Sequence, residues 1–421
     1  MSQKLLIFTV GILTFVVLGL FFVYMLKTET PKTPDREGGI LSFFPFGQGS
    51  VPTPITTGNE NAPIENEGQQ NLRTITQLQQ LTSFPVAGYF PMQDKGGYSV
   101  RYVERSTGHV FDIAVDTPTA PIRVSNTTAP KNFEALWQPS GTSLLLRSLD
   151  ADNESIISFA GNLRPVASST ENQLSGIFLP RNIFTAAIPP GGGKIVYLET
   201  LNDGSHIVIA NPDGSKKTEV FVSPLTEWDI DWPATSTITV VSKPSAFANG
   251  ILYFLNTSAQ QLSLVLDSIR GLTALTNQNL TKVLFSETKT RGLSTSVLDV
   301  KSKNIAELPI ETLPEKCVWS KKKSTIVYCG VPLSLPPAIY PDMWYQGVVS
   351  FSDALWRIDI QSRSAELVSL VSDEAKKSID VIKPKLSADE NYLYFVNKND
   401  STLWSLKLTI DNTQPTTTPS Q

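Results

Sequence analysis

Trp137-Gln138-Pro139-Ser140-Gly141-Thr142-Ser143-Leu144-Leu145-Leu146 and Trp319-Ser320-Lys321-Lys322-Lys323-Ser324-Thr325-Ile326-Val327-Tyr328 are two copies of one phrase. Each has a large apolar residue, about five polar or turn-forming residues and then a run of strand formers. The phrase can also be read from Phe90, Ile188, Trp232, Leu275 and Leu386. Most of these anchors lie roughly 43 to 51 residues apart, the period of four-stranded propeller blades. The expected fold is therefore all-β, a seven-bladed β-propeller. The interval from Trp319 to Leu386 breaks the period, being about 20 residues longer than the rest.

The units parse in the same order. The third reads Phe184 to Ile188 as an inner strand, then Lys194 to Glu199, His206 to Ala210 and Thr218 to Val222, separated by turns rich in Pro, Gly, Asn and Asp. The last unit supplies only Ile379 to Leu386, Tyr392 to Asn397 and Leu403 to Leu408. An unpaired N-terminal candidate, Leu72 to Leu81, would complete it as an outermost strand and close the ring, which protects the remaining edges.

Leu386-Ser387-Ala388-Asp389-Glu390-Asn391-Tyr392-Leu393-Tyr394-Phe395-Val396 resembles the repeat of TolB-like and WD40-like propellers, written roughly Ser-Pro-Asp-Gly-Lys and then a strand. The stretches beginning at Trp137, Trp319 and Phe351 resemble uncharacterised membrane-anchored propeller proteins of candidate-phylum bacteria. The resemblance covers roughly residues 73 to 408 and implies the fold only. The Asp-Gly of the TolB pattern is degraded in nearly every repeat, and no catalytic residue carries over.

The 421 residues carry a formal charge of −4 with only 18% charged residues, so no basic stripe is available to neutralise phosphates and nucleic acid is not an expected partner. Leu5 to Leu26 is almost wholly apolar between Lys4 and Lys27. About 22 residues at roughly 1.5 Å each reach about 33 Å, enough to cross a bilayer core. No small-residue cleavage site follows, so a retained anchor is expected, with a cytoplasmic N-terminus and an extracytoplasmic propeller. The expected organisation is a stub and anchor over 1–27, a flexible Pro-, Gly-, Thr- and Asn-rich linker over 28–71, the propeller over 72–410 and a tail over 411–421. Within the linker, Ile40 to Phe46 is an apolar cluster that fits a membrane interface, a docking motif or an incidental feature of a disordered tether.

Candidate sites are few. Trp137, Trp232 and Trp319 share one phase of the repeat and are expected to pack between blades. Cys317 and Cys329 fall symmetrically about the Lys321 to Ser324 turn; a disulfide and two buried thiols are both compatible with that placement. The long interruption in unit six holds Tyr340, Asp342, Trp344 and Tyr345, which would suit a peptide or glycan if exposed, or would bury themselves over the channel mouth. Asp150 to Glu154 lacks the Gly and bidentate Glu of a calcium loop, and no metal or cofactor is expected. His109 and His206 fall on alternating strand positions next to apolar residues, as exposed or satisfied strand histidines would rather than a base, and Gly292 to Ser296 fails the nucleophile-elbow pattern at its last position. A non-enzymatic binding or scaffold module for an envelope protein or peptide is the first expectation. An envelope glycan- or peptide-acting enzyme using scattered channel carboxylates, or a ligand sensor, is the alternative.

Overall fold

The computed structural model describes residues 77–117, 119–166, 171–290 and 292–408. The expected anchor, linker and tail lie outside these residues, and among the described residues no helix is long and apolar enough to cross a membrane. Nearly all regular structure is antiparallel β. Five sheets have four strands each, and an eight-stranded sheet divides into two four-stranded halves joined only by the parallel pair Ser125 and Asn172.

The first six four-stranded units run in chain order from inner to outer strand. The inner strands are Val86–Asp94, Asn132–Trp137, Ala186–Ala187, Trp228–Ala234, Thr273–Thr276, Cys317–Trp319 and Val381–Leu386. The last unit is completed from the other end of the chain: Leu78–Gln80 pairs antiparallel with Leu403–Lys407, setting Leu78 opposite Leu406 and Gln80 opposite Trp404. Of the expected closing segment, Leu72 to Leu81, the described residues 77–81 contribute the strand Leu78–Gln80.

Apolar clusters lie between successive units and carry the packing. Ala87, Val103 and Val110 of the first unit meet Trp137, Leu144 and Leu146 of the second. Val196 and Ile207 of the third meet Trp232 and Val240 of the fourth. Tyr392 and Tyr394 of the last unit meet Tyr89, Val100 and Tyr102 of the first, so the packing returns to its start. At roughly 1.5–3 kcal/mol for each buried large apolar side chain, these faces hold the units together. Gly88 marks how closely the inner strands approach, since a Cβ there would lie 2.1 Å from the Ala135 carbonyl oxygen in the next unit.

Along an inner strand the side chains alternate, and the period sets which ones face the bore. In Trp228–Ala234, Ile230 and Trp232 are buried between units while Asp229 and Asp231 are open to solvent. The inner strand of unit three is shorter than expected. Arg147 from unit two donates to the carbonyls of Ile183 and Phe184 at 2.7 and 2.6 Å, occupying acceptors at the start of the expected strand.

The interruption in unit six runs from Leu333 to Ser352, between the second and third strands, and contains a short helix, Asp342–Tyr345, after a cis Tyr340–Pro341 bond. Asp342 ties it to unit four by accepting from the Ser245 hydroxyl at 3.0 Å and the Ala246 N–H at 2.7 Å.

Candidate active site in the central channel

The turns joining first and second strands surround one funnel of about 570 Å³. All seven anchors of the sequence phrase line it: Phe90, Trp137, Ile188, Trp232, Leu275, Trp319 and Leu386. The tryptophans thus have two surroundings. Their rings pack in the clusters between units, as expected, and together they form part of the funnel wall. The charged residues of that wall are Asp231, Lys321 and Lys385.

The charged side chains of the bore occupy positions one and three residues before an anchor, the phase that alternation turns inward. They are Glu134 from unit two, Asp229 and Asp231 from unit four, and Lys383 and Lys385 from unit seven. Glu134 pairs with Arg147 at 2.5 Å and with Lys383 at 3.4 Å. Burial works against its ionisation, but the two cations outweigh that and hold its pKa below the usual carboxylate value. Asp229 accepts from the Thr185 hydroxyl at 2.7 Å and from its own N–H neighbour Ile230 at 3.1 Å.

Solvent reaches Asp229 and Asp231 from the bore, while protein walls them on the other sides. That separation from bulk water raises both pKa values, and Asp229 adds to the shift of Asp231. Lys385 sits opposite in the chain order of the ring, over the Tyr89 ring at 5.1 Å, and donates to the Tyr89 carbonyl at 3.0 Å. Burial first, and then the nearby Lys383, bring its pKa down to about 8. A carboxyl that keeps its proton longer than usual and an amine that loses one more readily therefore line the same funnel, the combination general acid–base chemistry requires.

At the other end of the bore the unit-six loop supplies Tyr345, whose hydroxyl donates to Glu315. Burial raises the pKa of Glu315, with Asp229 contributing, and its Oε2 is buried without a partner. The remaining residues of the expected partner-binding loop turn inward: Tyr340 is 1% exposed and Trp344 3%. Tyr340 packs beside Phe351, Trp344 stacks on Phe351, and Asp342 is occupied by Ser245 and Ala246. An exposed aromatic patch on these residues is not what the structure presents.

Cys317 and Cys329 are direct partners across the ladder and form a disulfide. His109 contacts Thr128 at 3.3 Å, and His206, on the third strand of its unit, lies between Glu219 of the outer strand and Asp203 of the preceding turn, so neither histidine enters the channel. In the Asp150 to Glu154 turn, Asp152 accepts from the N–H groups of Glu154 and Ser155, and Asp150 pairs with Arg181. Among the described residues no group of three or more His, Cys, Asp or Glu side chains is placed to hold a metal ion.

No family model matches the chain, and no curated protein matches it. Among solved structures, an oligogalacturonate lyase in complex with manganese superposes with a TM-score of 0.50 at 10% identity, covering 77% of this chain and 97% of that one. An oligogalacturonate lyase from Vibrio parahaemolyticus gives 0.47 at 8% identity, covering 77% and 98%. A TolB candidate from Agrobacterium tumefaciens gives 0.36 at 13%, covering 52% and 80%. Of these three only the first is similar enough to establish a shared fold, and it places this chain among the β-propellers. The similarity also corrects the expectation of a non-enzyme. A protein with this fold is a lyase, so the missing serine elbow and catalytic histidine do not argue against catalysis here.

Proposed function

We propose that the chain is a membrane-tethered, extracytoplasmic, seven-bladed propeller that acts as an enzyme on an acidic glycan of the cell envelope, with its reaction centre in the channel. The seven-blade count is supported by seven four-stranded units whose apolar clusters lie between each successive pair and between the last and the first. Tethering rests on the apolar run from Leu5 to Leu26.

The observation that carries the enzymatic reading is the presence of Lys385, with its lowered pKa, and Asp231, with its raised one, in one funnel wall. The acidic character of the substrate is supported by charge, since with Lys385 as the free amine and Asp231 holding its proton the wall keeps one cation, Lys321. An oligogalacturonate lyase of this fold is a precedent for elimination from a uronate chain. In this reading Lys321 neutralises the uronate carboxylate and the free amine of Lys385 removes the adjacent ring proton. The C–H electron pair becomes the new double bond, the glycosidic C–O bond breaks, and Asp231 gives its proton to the departing oxygen.

Incubation of the full-length chain with uronate oligosaccharides should produce an unsaturated sugar, detected by its ultraviolet absorbance, and neutral oligosaccharides should not. New reducing ends without that absorbance would refute elimination, and no turnover of any acidic glycan would refute the enzymatic reading.

A further inference from the structure

Away from the channel lies a second set of ionisable groups, where the unit-six loop covers the junction of units six and seven. Lys316, Asp353 and Asp380 are each 0% exposed. Nζ of Lys316 is 2.7 Å from Oδ2 of Asp353 and is also paired with Oδ1 of Asp380. The rings of Phe351 and Trp344 face the ammonium at 5.0 and 5.6 Å.

The two carboxyl groups are held differently. Oδ2 of Asp380 accepts from the Trp344 indole N–H at 2.9 Å and from the Phe351 N–H at 3.0 Å. Oδ2 of Asp353 accepts from the Val381 N–H at 2.6 Å, while its Oδ1 is buried with no partner. One ammonium against two ionised carboxylates would leave an uncompensated negative charge away from water, a costly arrangement. A proton on Asp353 removes that charge. Burial, the largest influence on this group, pushes its pKa up to about 7.

We propose that Lys316 and Asp353 are joined by a side-chain amide bond that the protein forms by itself. Burial works against the ammonium, but Asp353 and Asp380 outweigh it and hold the Lys316 pKa above its usual value, so the free amine is the minor form, reached when Asp380 takes a proton from the ammonium beside a neutral Asp353 carboxyl. The amine attacks Cγ of Asp353, the Nζ–Cγ bond forms and one Cγ–O bond breaks. The oxygen leaves as water, carrying the proton of the Asp353 hydroxyl and one ammonium proton relayed through Asp380. A second ammonium proton stays on Asp380, and the third remains as the amide N–H. The balance needs no oxidant, metal or other reactant. The amide N–H keeps an acceptor in the Val381 carbonyl, which lies 3.2 Å from Nζ. The bond would staple the start of unit six to its third strand and so enclose the long loop that interrupts the repeat.

Mass spectrometry of the purified full-length chain tests this. The expected mass is that of the sequence less one water, apart from the two hydrogens lost to the disulfide. Digestion with trypsin should leave the bond after Lys316 intact and yield a branched peptide joining Lys316 to Asp353. Lys316→Met and Asp353→Ala should restore the missing water. Asp380→Asn keeps both partners and nearly the same volume, and should also restore it by removing the proton carrier. If the substituted chains fail to fold, the wild-type digest still decides. Ordinary cleavage after Lys316 with no loss of water overturns the proposal, as does a branch at Asp380.

Discussion

Replacing Lys385 by Met should make the protein more stable at neutral pH while removing its activity. The depression of the Lys385 pKa from 10.5 to about 8 corresponds to about 3 kcal/mol against the folded state. The sign follows from proton binding. Below about pH 8 the amine is charged in both states, so the folded protein bears the full penalty of surrounding that charge with protein. As pH rises towards about 10.5 the unfolded chain holds more protons than the folded one, and the penalty fades. Met keeps the stem and removes the charge, but loses the bond to the Tyr89 carbonyl, worth about 1 kcal/mol. The net gain at about pH 7 should be about 2 kcal/mol, raising the thermal midpoint by roughly 3–5 °C for a domain of this size. Denaturant unfolding of both proteins from about pH 7 to about pH 10.5 isolates the effect, because other titrating groups cancel in the difference. A variant less stable than wild type at about pH 7, or a difference that does not shrink with rising pH, would refute the reasoning.

Closure can be probed at Leu406, which is fully buried opposite Leu78. Leu406→Ala should cost about 2–5 kcal/mol, measured by chemical denaturation, and a loss within error would mean that the terminal pairing adds little. Breaking the Cys317–Cys329 bridge with a double Ser substitution should lower stability by roughly 2–4 kcal/mol, read from midpoints with and without reductant. His206, whose hydrogen bonds to the Glu219 and Asp203 carboxylates raise its pKa, should favour the folded state fully below the unfolded histidine pKa. That contribution should be lost as pH rises through the folded value. The stability difference between wild type and His206→Gln should therefore narrow in that direction.

The architecture was legible because each unit repeats the same demand: an apolar anchor, a turn and a strand. The incomplete last unit likewise points to an N-terminal partner, and among the described residues Leu78–Gln80 supplies it. Unit three's short inner strand was not legible, since its carbonyls are taken by Arg147, more than 30 residues earlier in the chain. The channel site was hidden for a related reason. Asp231 and Lys385 belong to different units, and neither sits in a local motif. Their signal was phase: both immediately precede an anchor, and Glu134, Asp229 and Lys383 lie three residues before one. The apolar anchors Trp232 and Leu386 carry the repeat, and the polar neighbours that alternation turns inward do not repeat from unit to unit. The unit-six loop is rich in aromatics, but being tied down through Asp342 it places Tyr340 and Trp344 inside the protein.

The most direct test of the channel account is the pH dependence of turnover of a uronate oligosaccharide by wild type, Lys385→Met and Asp231→Asn. The account predicts a wild-type rate that climbs as Lys385 loses its proton towards about pH 8, with that climb absent from Lys385→Met and turnover falling at least about 100-fold in either variant. Variants that retain the wild-type rate and pH profile would place the chemistry elsewhere and contradict it.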